Sequence, residues 1–135
     1  MILMNDFKAE SEHLRESILK ATQRVIDSGW YVLGEEVKQF ESQWAKACKV
    51  SNAIGVGNGM DALEIALRAL EIGPGDEVIT TPMSAFATVL AIYRSGATPV
   101  LADIESNTAL LSLQSVKRCI TKRTKAILLV HLYGQ

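Results

Sequence analysis

Cysteine is scarce in this chain of 135 residues: Cys48 and Cys119 stand far apart, with no CxxC pair and no histidine at ligand spacing. That excludes a disulfide-stapled scaffold and a zinc site. Net charge is nearly absent as well, with 14 basic against 15 acidic side chains. No global field therefore draws the protein to nucleic acid or to anionic lipid. No apolar run approaches the roughly 20 residues of a membrane-spanning helix. The opening MILMNDF has too short an apolar stretch, and no basic flank, for a secretory leader. Repeats and low-complexity tracts are missing too. A cytoplasmic protein without nucleic-acid or membrane partners is the expectation. What is present is ordinary for a globular core: 48% hydrophobic and 21% charged residues, with a mean hydropathy of +0.15. The length suits a single domain.

The first stretch is helical by pattern. Leu14, Ile18, Ala21 and Val25 make one stripe of a helix spanning about 7–28, which Gly29 can end in a left-handed cap. A second helix is predicted over about 35–49, with Val37, Phe40, Trp44 and Cys48 on one face and Glu35 and Glu36 at its positive end. From residue 53 the pattern becomes alternation. Strands are predicted at Ala53–Gly57, Glu77–Thr81, Pro99–Ala102 and Ala126–Val130. Between them lie helices at Met60–Leu70, with Leu63, Leu67 and Leu70 inward, at Ser84–Arg94, with Ser84 as cap and Gly96 beyond, and at Val116–Ile120. Strands this apolar, separated by helices, require a mostly parallel sheet covered on both faces, so the class is α/β, doubly wound. The basic run Lys117, Arg118, Lys122, Arg123 and Lys125 has no interleaved aromatics and reads as a solvated helix end. A sheet that stopped after Val130 would leave an open edge and is expected to associate.

The strongest chemical signal is Gly55-Val56-Gly57-Asn58-Gly59-Met60-Asp61 at a strand-to-helix junction. Free N–H groups and the helix dipole favour an anion there, and Asn58 can cap the helix. A tight turn that only packs helix on sheet is the other reading of the same glycines. The dinucleotide fingerprint fails, because its third glycine falls at Met60 and the following strand ends in Thr80-Thr81 rather than an acid. The nucleoside-triphosphate loop fails too, since no lysine occurs between Lys49 and Lys117. A phosphate of another kind remains.

The blocks SGWYVLGEEVKQFESQWAK, GVGNGMDALEIALRAL, GPGDEVITTPMSAFATVLAI, GATPVLADIE and HLYGQ, in that order, resemble the DegT/DnrJ/EryC1/StrS family of sugar aminotransferases. The resemblance runs from the opening NDF to Gln135. It implies a fold-type-I enzyme that uses pyridoxal 5'-phosphate and passes an amino group from glutamate to a nucleoside-diphosphate-linked keto sugar. It also implies a homodimer. In chemical terms the cofactor's ring is an electron sink, for which the protein supplies binding, orientation and electrostatics.

By the same resemblance Gly59 and Met60 hold the cofactor's phosphate through their backbone N–H groups, with Asn58 at the head of the helix. The family often has Thr where Met60 stands, so a hydroxyl bond is missing. Asp61 reads as helix-stabilising, with a direct role in the site as its other reading. The family's stacking aromatic corresponds to Ala85, and the adjacent Phe86 offers the ring instead, with core packing as its other reading. Tyr31 lies in the segment that approaches the sugar nucleotide, or else packs. His131 reads as a satisfied core imidazole. No catalytic residue and no metal ligand is assigned. The family's Schiff-base lysine and the aspartate facing the ring nitrogen fall beyond Gln135, and so does the C-terminal small domain. Residues 1–135 are accordingly expected to be the N-terminal portion of the cofactor-binding large domain and to be inactive alone. The alternative is a truncated, non-catalytic paralogue that binds a phosphate ligand or a partner chain.

Overall fold

A computed structural model describes residues 12–135. The chain divides into two units, the first ending at Gly55 and the second spanning Val56–Gln135. The start of the first predicted helix, before residue 12, lies outside the described residues.

In the first unit, helix α1 spans Glu12–Ser28 and α2 spans Glu35–Cys48. Gly29 adopts φ +65° and its N–H reaches the Ile26 carbonyl at 3.1 Å, so the predicted left-handed stop is present. At the end of α2 it is Lys49 that turns left-handed, donating to the Ala45 and Lys46 carbonyls. Ala45 is the buried residue of α2, and Phe40 stacks on Trp44 with ring centroids 5.9 Å apart. The predicted stripes face outward more than expected. Leu14, Ile18, Phe40 and Trp44 are exposed, and Ala21, Val25 and Val37 are half-buried.

The second unit is the α/β body. Helix α3 spans Gly59–Ala69, strand β1 Glu77–Thr80, helix α4 Phe86–Ser95, strand β2 Thr98–Leu101, helix α5 Leu113–Cys119 and strand β3 Thr124–Ile127. The sheet is parallel throughout, in the order β2-β1-β3. Successive residues of the central strand point to opposite faces, and both faces are covered. Val78 packs with Leu67, Ile72, Ile92 and Ala97 on the α3/α4 side. Ile79 packs with Ala102 and Val116 on the α5 side. This two-sided burial is why β1 reads as an unbroken apolar run. At its amino end the buried Glu77 carboxylate accepts from Thr121 Oγ1 and Arg123 Nη2, tying the loop before β3 to the strand.

Four expectations need correction. Ala53–Gly57 is not a strand: the segment has no ladder partner among the described residues, and Ile54 is 81% exposed. A backbone with strand composition but no neighbouring strand cannot bury its side chains. The last strand starts at Thr124 and ends at Ile127, so the predicted Ala126–Val130 is shifted, although Leu128 N still donates to the Ile79 carbonyl at 2.8 Å. Ser84 does not cap α4. Ala85 holds that position, while Ser84 Oγ pairs with Thr88 Oγ1 at 2.6 Å. Leu70, expected inward, caps α3 and is exposed.

Candidate functional site

The glycine-rich turn opens α3. Asn58 is extended (φ −165°, ψ 174°), its Oδ1 accepts from Asp61 N at 3.0 Å, and its carbonyl accepts from Ala62 N at 3.1 Å. The side-chain amide donates in turn to Asp61 Oδ2 at 2.8 Å. A helix has four orphan N–H groups at its start, and the cap consumes the third-position one. The N–H groups of Gly59 and Met60 have no acceptor among the described residues. Around Gly59 a Cβ would meet nothing within 4 Å, so an incoming group can approach the backbone closely. Two free donors, the positive end of an eleven-residue helix and an open approach at Gly59 are features that favour an anion.

A second helix start belongs to the same region. Helix α4 connects two parallel strands, so it runs back against them and begins at the carboxyl end of β1. Helix α3 runs alongside in the same sense, because the two carboxyl ends meet. Arg68 Nη2 donates to the Arg94 carbonyl, and Glu64 bridges Arg68 at 3.0 Å and Arg94 at 2.7 Å. Both helix starts therefore lie at the carboxyl end of the strands, where open α/β sheets bind ligands. Phe86, the first residue of α4, is 76% exposed. Among the described residues its ring belongs to neither core cluster. Buried Thr81 orders the loop before it by accepting from Met83 N at 3.1 Å.

After β3 the chain forms a short 3-10 turn, Leu132–Gly134, with Tyr133 at φ +57°. His131 is exposed, with Nδ1 2.9 Å from the Gln135 carbonyl oxygen, so the expectation of a core imidazole is corrected. Tyr31 belongs to the first unit. It is 69% exposed and lines a cavity of about 550 Å³ together with Arg24, Trp30, Leu33 and Glu36. Arg24 Nε donates to Glu36 Oε1 at 2.7 Å. That hydrogen bond holds the Glu36 carboxyl below the usual carboxylate range and raises the Arg24 guanidinium.

Thus the structure brings Asn58, Gly59 and Met60 onto one turn and Phe86 to the same end of the same unit. Sequence reasoning missed the Glu64–Arg68–Arg94 network and the Arg24–Glu36 pair. Glu64 and Arg68 carry a readable helical spacing, but Arg94 lies in another helix with no pattern to link it.

A family model described as the DegT/DnrJ/EryC1/StrS aminotransferase family matches residues 12–135. The chain is 45% identical over 135 residues to a dTDP-3-amino-3,6-dideoxy-alpha-D-galactopyranose transaminase of Aneurinibacillus thermoaerophilus, covering 100% of this chain and 37% of that protein. Among solved structures it is similar to Streptomyces venezuelae DesV in complex with a ketimine intermediate, with a TM-score of 0.89 and 47% identity over 96% of this chain and 35% of that one. It is also similar to Bacillus subtilis NtdA with bound cofactor PMP, with a TM-score of 0.86 and 35% identity over 93% of this chain and 29% of that one. The chain thus spans about a third of the length of the relatives it matches. Among the described residues, no helix is long and apolar enough to cross a membrane.

Proposed function

This chain belongs to the DegT/DnrJ/EryC1/StrS aminotransferase family, and on that premise we propose that it holds the cofactor's phosphate and ring in a pyridoxal 5'-phosphate-dependent sugar aminotransferase. The amino group passes from glutamate to a keto sugar carried on a nucleoside diphosphate. Residues 1–135 form the N-terminal portion of the large domain, and the working enzyme is a cytoplasmic homodimer. The observation that carries the reading is the family match over residues 12–135, with 45% identity to a dTDP-sugar transaminase along the whole chain.

The residues present fit the cofactor. The N–H groups of Gly59 and Met60 would donate to its phosphate, with Asn58 fixing the turn that presents them. Phe86 would stack on the cofactor's ring, and Tyr31 would meet the substrate. When bound, pyridoxal phosphate supplies an electron sink for carbanionic chemistry at the amino-bearing carbon. Moving the proton and carrying the cofactor covalently would need a lysine, and by the family resemblance none of Lys117, Lys122 or Lys125 stands in the motif that provides it.

The test is glutamate-dependent transamination by the product of the whole reading frame, with dTDP- and UDP-linked keto sugars, read as 2-oxoglutarate formed. Turnover that requires pyridoxal phosphate is the expected result. No turnover with any such sugar, together with no pyridoxal absorbance in the purified protein, contradicts the reading. Purified residues 1–135 alone are expected to give no turnover. Transamination by that material overturns the assignment of the missing lysine.

A further inference from the structure

We propose that Asp61 is a positioning residue for the phosphate seat. Its carboxylate and the Asn58 side chain form a two-way clamp that leaves the Gly59 and Met60 N–H groups, and not that of Asp61, to meet the anion. The inference rests on the reading of the α3 turn as the phosphate seat and deepens it.

The clamp is reciprocal. Asn58 Oδ1 accepts from Asp61 N at 3.0 Å, and Asn58 Nδ2 donates to Asp61 Oδ2 at 2.8 Å. One bond alone would leave the asparagine amide free to rotate. Two bonds fix both its oxygen and its nitrogen, so the cap cannot open without breaking a charge-assisted contact. The choice of glycine at position 57 follows from the same geometry. A Cβ there would lie 3.0 Å from Asp61 Oδ2, closer than ordinary van der Waals contact, so the clamped carboxylate would have to give by a few tenths of an ångström.

An acid beside a phosphate site needs a reason. In the first turn a carboxylate favours the helix dipole, but its charge opposes a bound dianion. The asparagine amide holds that carboxylate on the Gly57 side of the turn. The positioning gain requires a hydrogen-bond acceptor at residue 61 and does not require its charge. Asp61→Asn and Asp61→Ala therefore separate the two effects.

The experiment is amide NMR of the labelled chain titrated with pyridoxal 5'-phosphate, and separately with inorganic phosphate. In the wild-type chain the Gly59 and Met60 amide signals should shift with saturation, while the Asp61 amide remains protected from exchange. Asp61→Ala should weaken binding about fivefold to tenfold, the scale of a lost cap. Asp61→Asn, which keeps an acceptor for Asn58 Nδ2, should stay within about twofold of wild type or bind more tightly. Gly57→Ala should weaken binding in the same direction as Asp61→Ala. The clamp is overturned if Asp61→Ala binds as well as wild type, or if Asp61→Asn loses as much as Asp61→Ala. It is overturned in the wild-type chain alone if the Asp61 amide is the one that shifts and loses protection. A wild-type chain whose Gly59 and Met60 signals stay still at saturating ligand contradicts the phosphate reading itself, a result distinct from the other three.

Discussion

Gly96 shows how much one residue can fix. It ends α4 at φ +92°, donates to the Tyr93 carbonyl at 3.0 Å, and a Cβ there would lie 2.9 Å from Pro74 Cδ. Backbone strain and a clash with a rigid ring coincide, so Gly96→Ala should destabilise the chain by about 1–3 kcal/mol. Urea unfolding measures this directly, and an unchanged midpoint would show that the turn tolerates a side chain. The helix stop at Gly96 was readable from sequence, because glycine after a periodic run is a physical signal. So was Asn58 as a cap, since the same rule applies at a helix start. The clamp on Asp61 was not readable. Nothing in the string Asn-Gly-Met-Asp tells which way a carboxylate turns.

Elements were legible where their own pattern was local. All five helices and three of the four expected strands are present, with ends displaced by a few residues. The fourth, Ala53–Gly57, has the composition of a strand, but composition cannot supply a neighbour to pair with. The relation between α3 and α4 lay equally out of reach, since it depends on Glu64 joining Arg68 to Arg94 across two helices. The Glu64 side chain is only 12% exposed, whereas both arginines reach solvent. Removing the carboxylate should therefore cost about 1 kcal/mol, well short of a fully buried ion pair. Glu64→Ala should lower the unfolding free energy in urea by that amount, and Glu64→Ala combined with Arg94→Ala should cost less than the sum of the two single changes, a non-zero coupling energy in a double-mutant cycle. A coupling energy near zero between Glu64 and Arg94 is the result that would deny the network.

At the scale of the molecule, the parallel order β2-β1-β3 gathers the starts of α3 and α4 at the carboxyl end of the strands. The sequence resemblance and the family match agree on the family. Fold class and family were legible because glycine placement, strand alternation and block order survive in the string. The free donors at Gly59 and Met60 follow from a helix start read in the sequence, and the hydrogen bonds add that the Asp61 N–H is taken by Asn58. The most direct measurement is a crystal structure of the protein grown with pyridoxal 5'-phosphate. The account predicts phosphate density within hydrogen-bond distance of the Gly59 and Met60 nitrogens, with the Phe86 ring against the pyridine. Cofactor density whose phosphate is held elsewhere, with those two nitrogens facing only solvent, would contradict it.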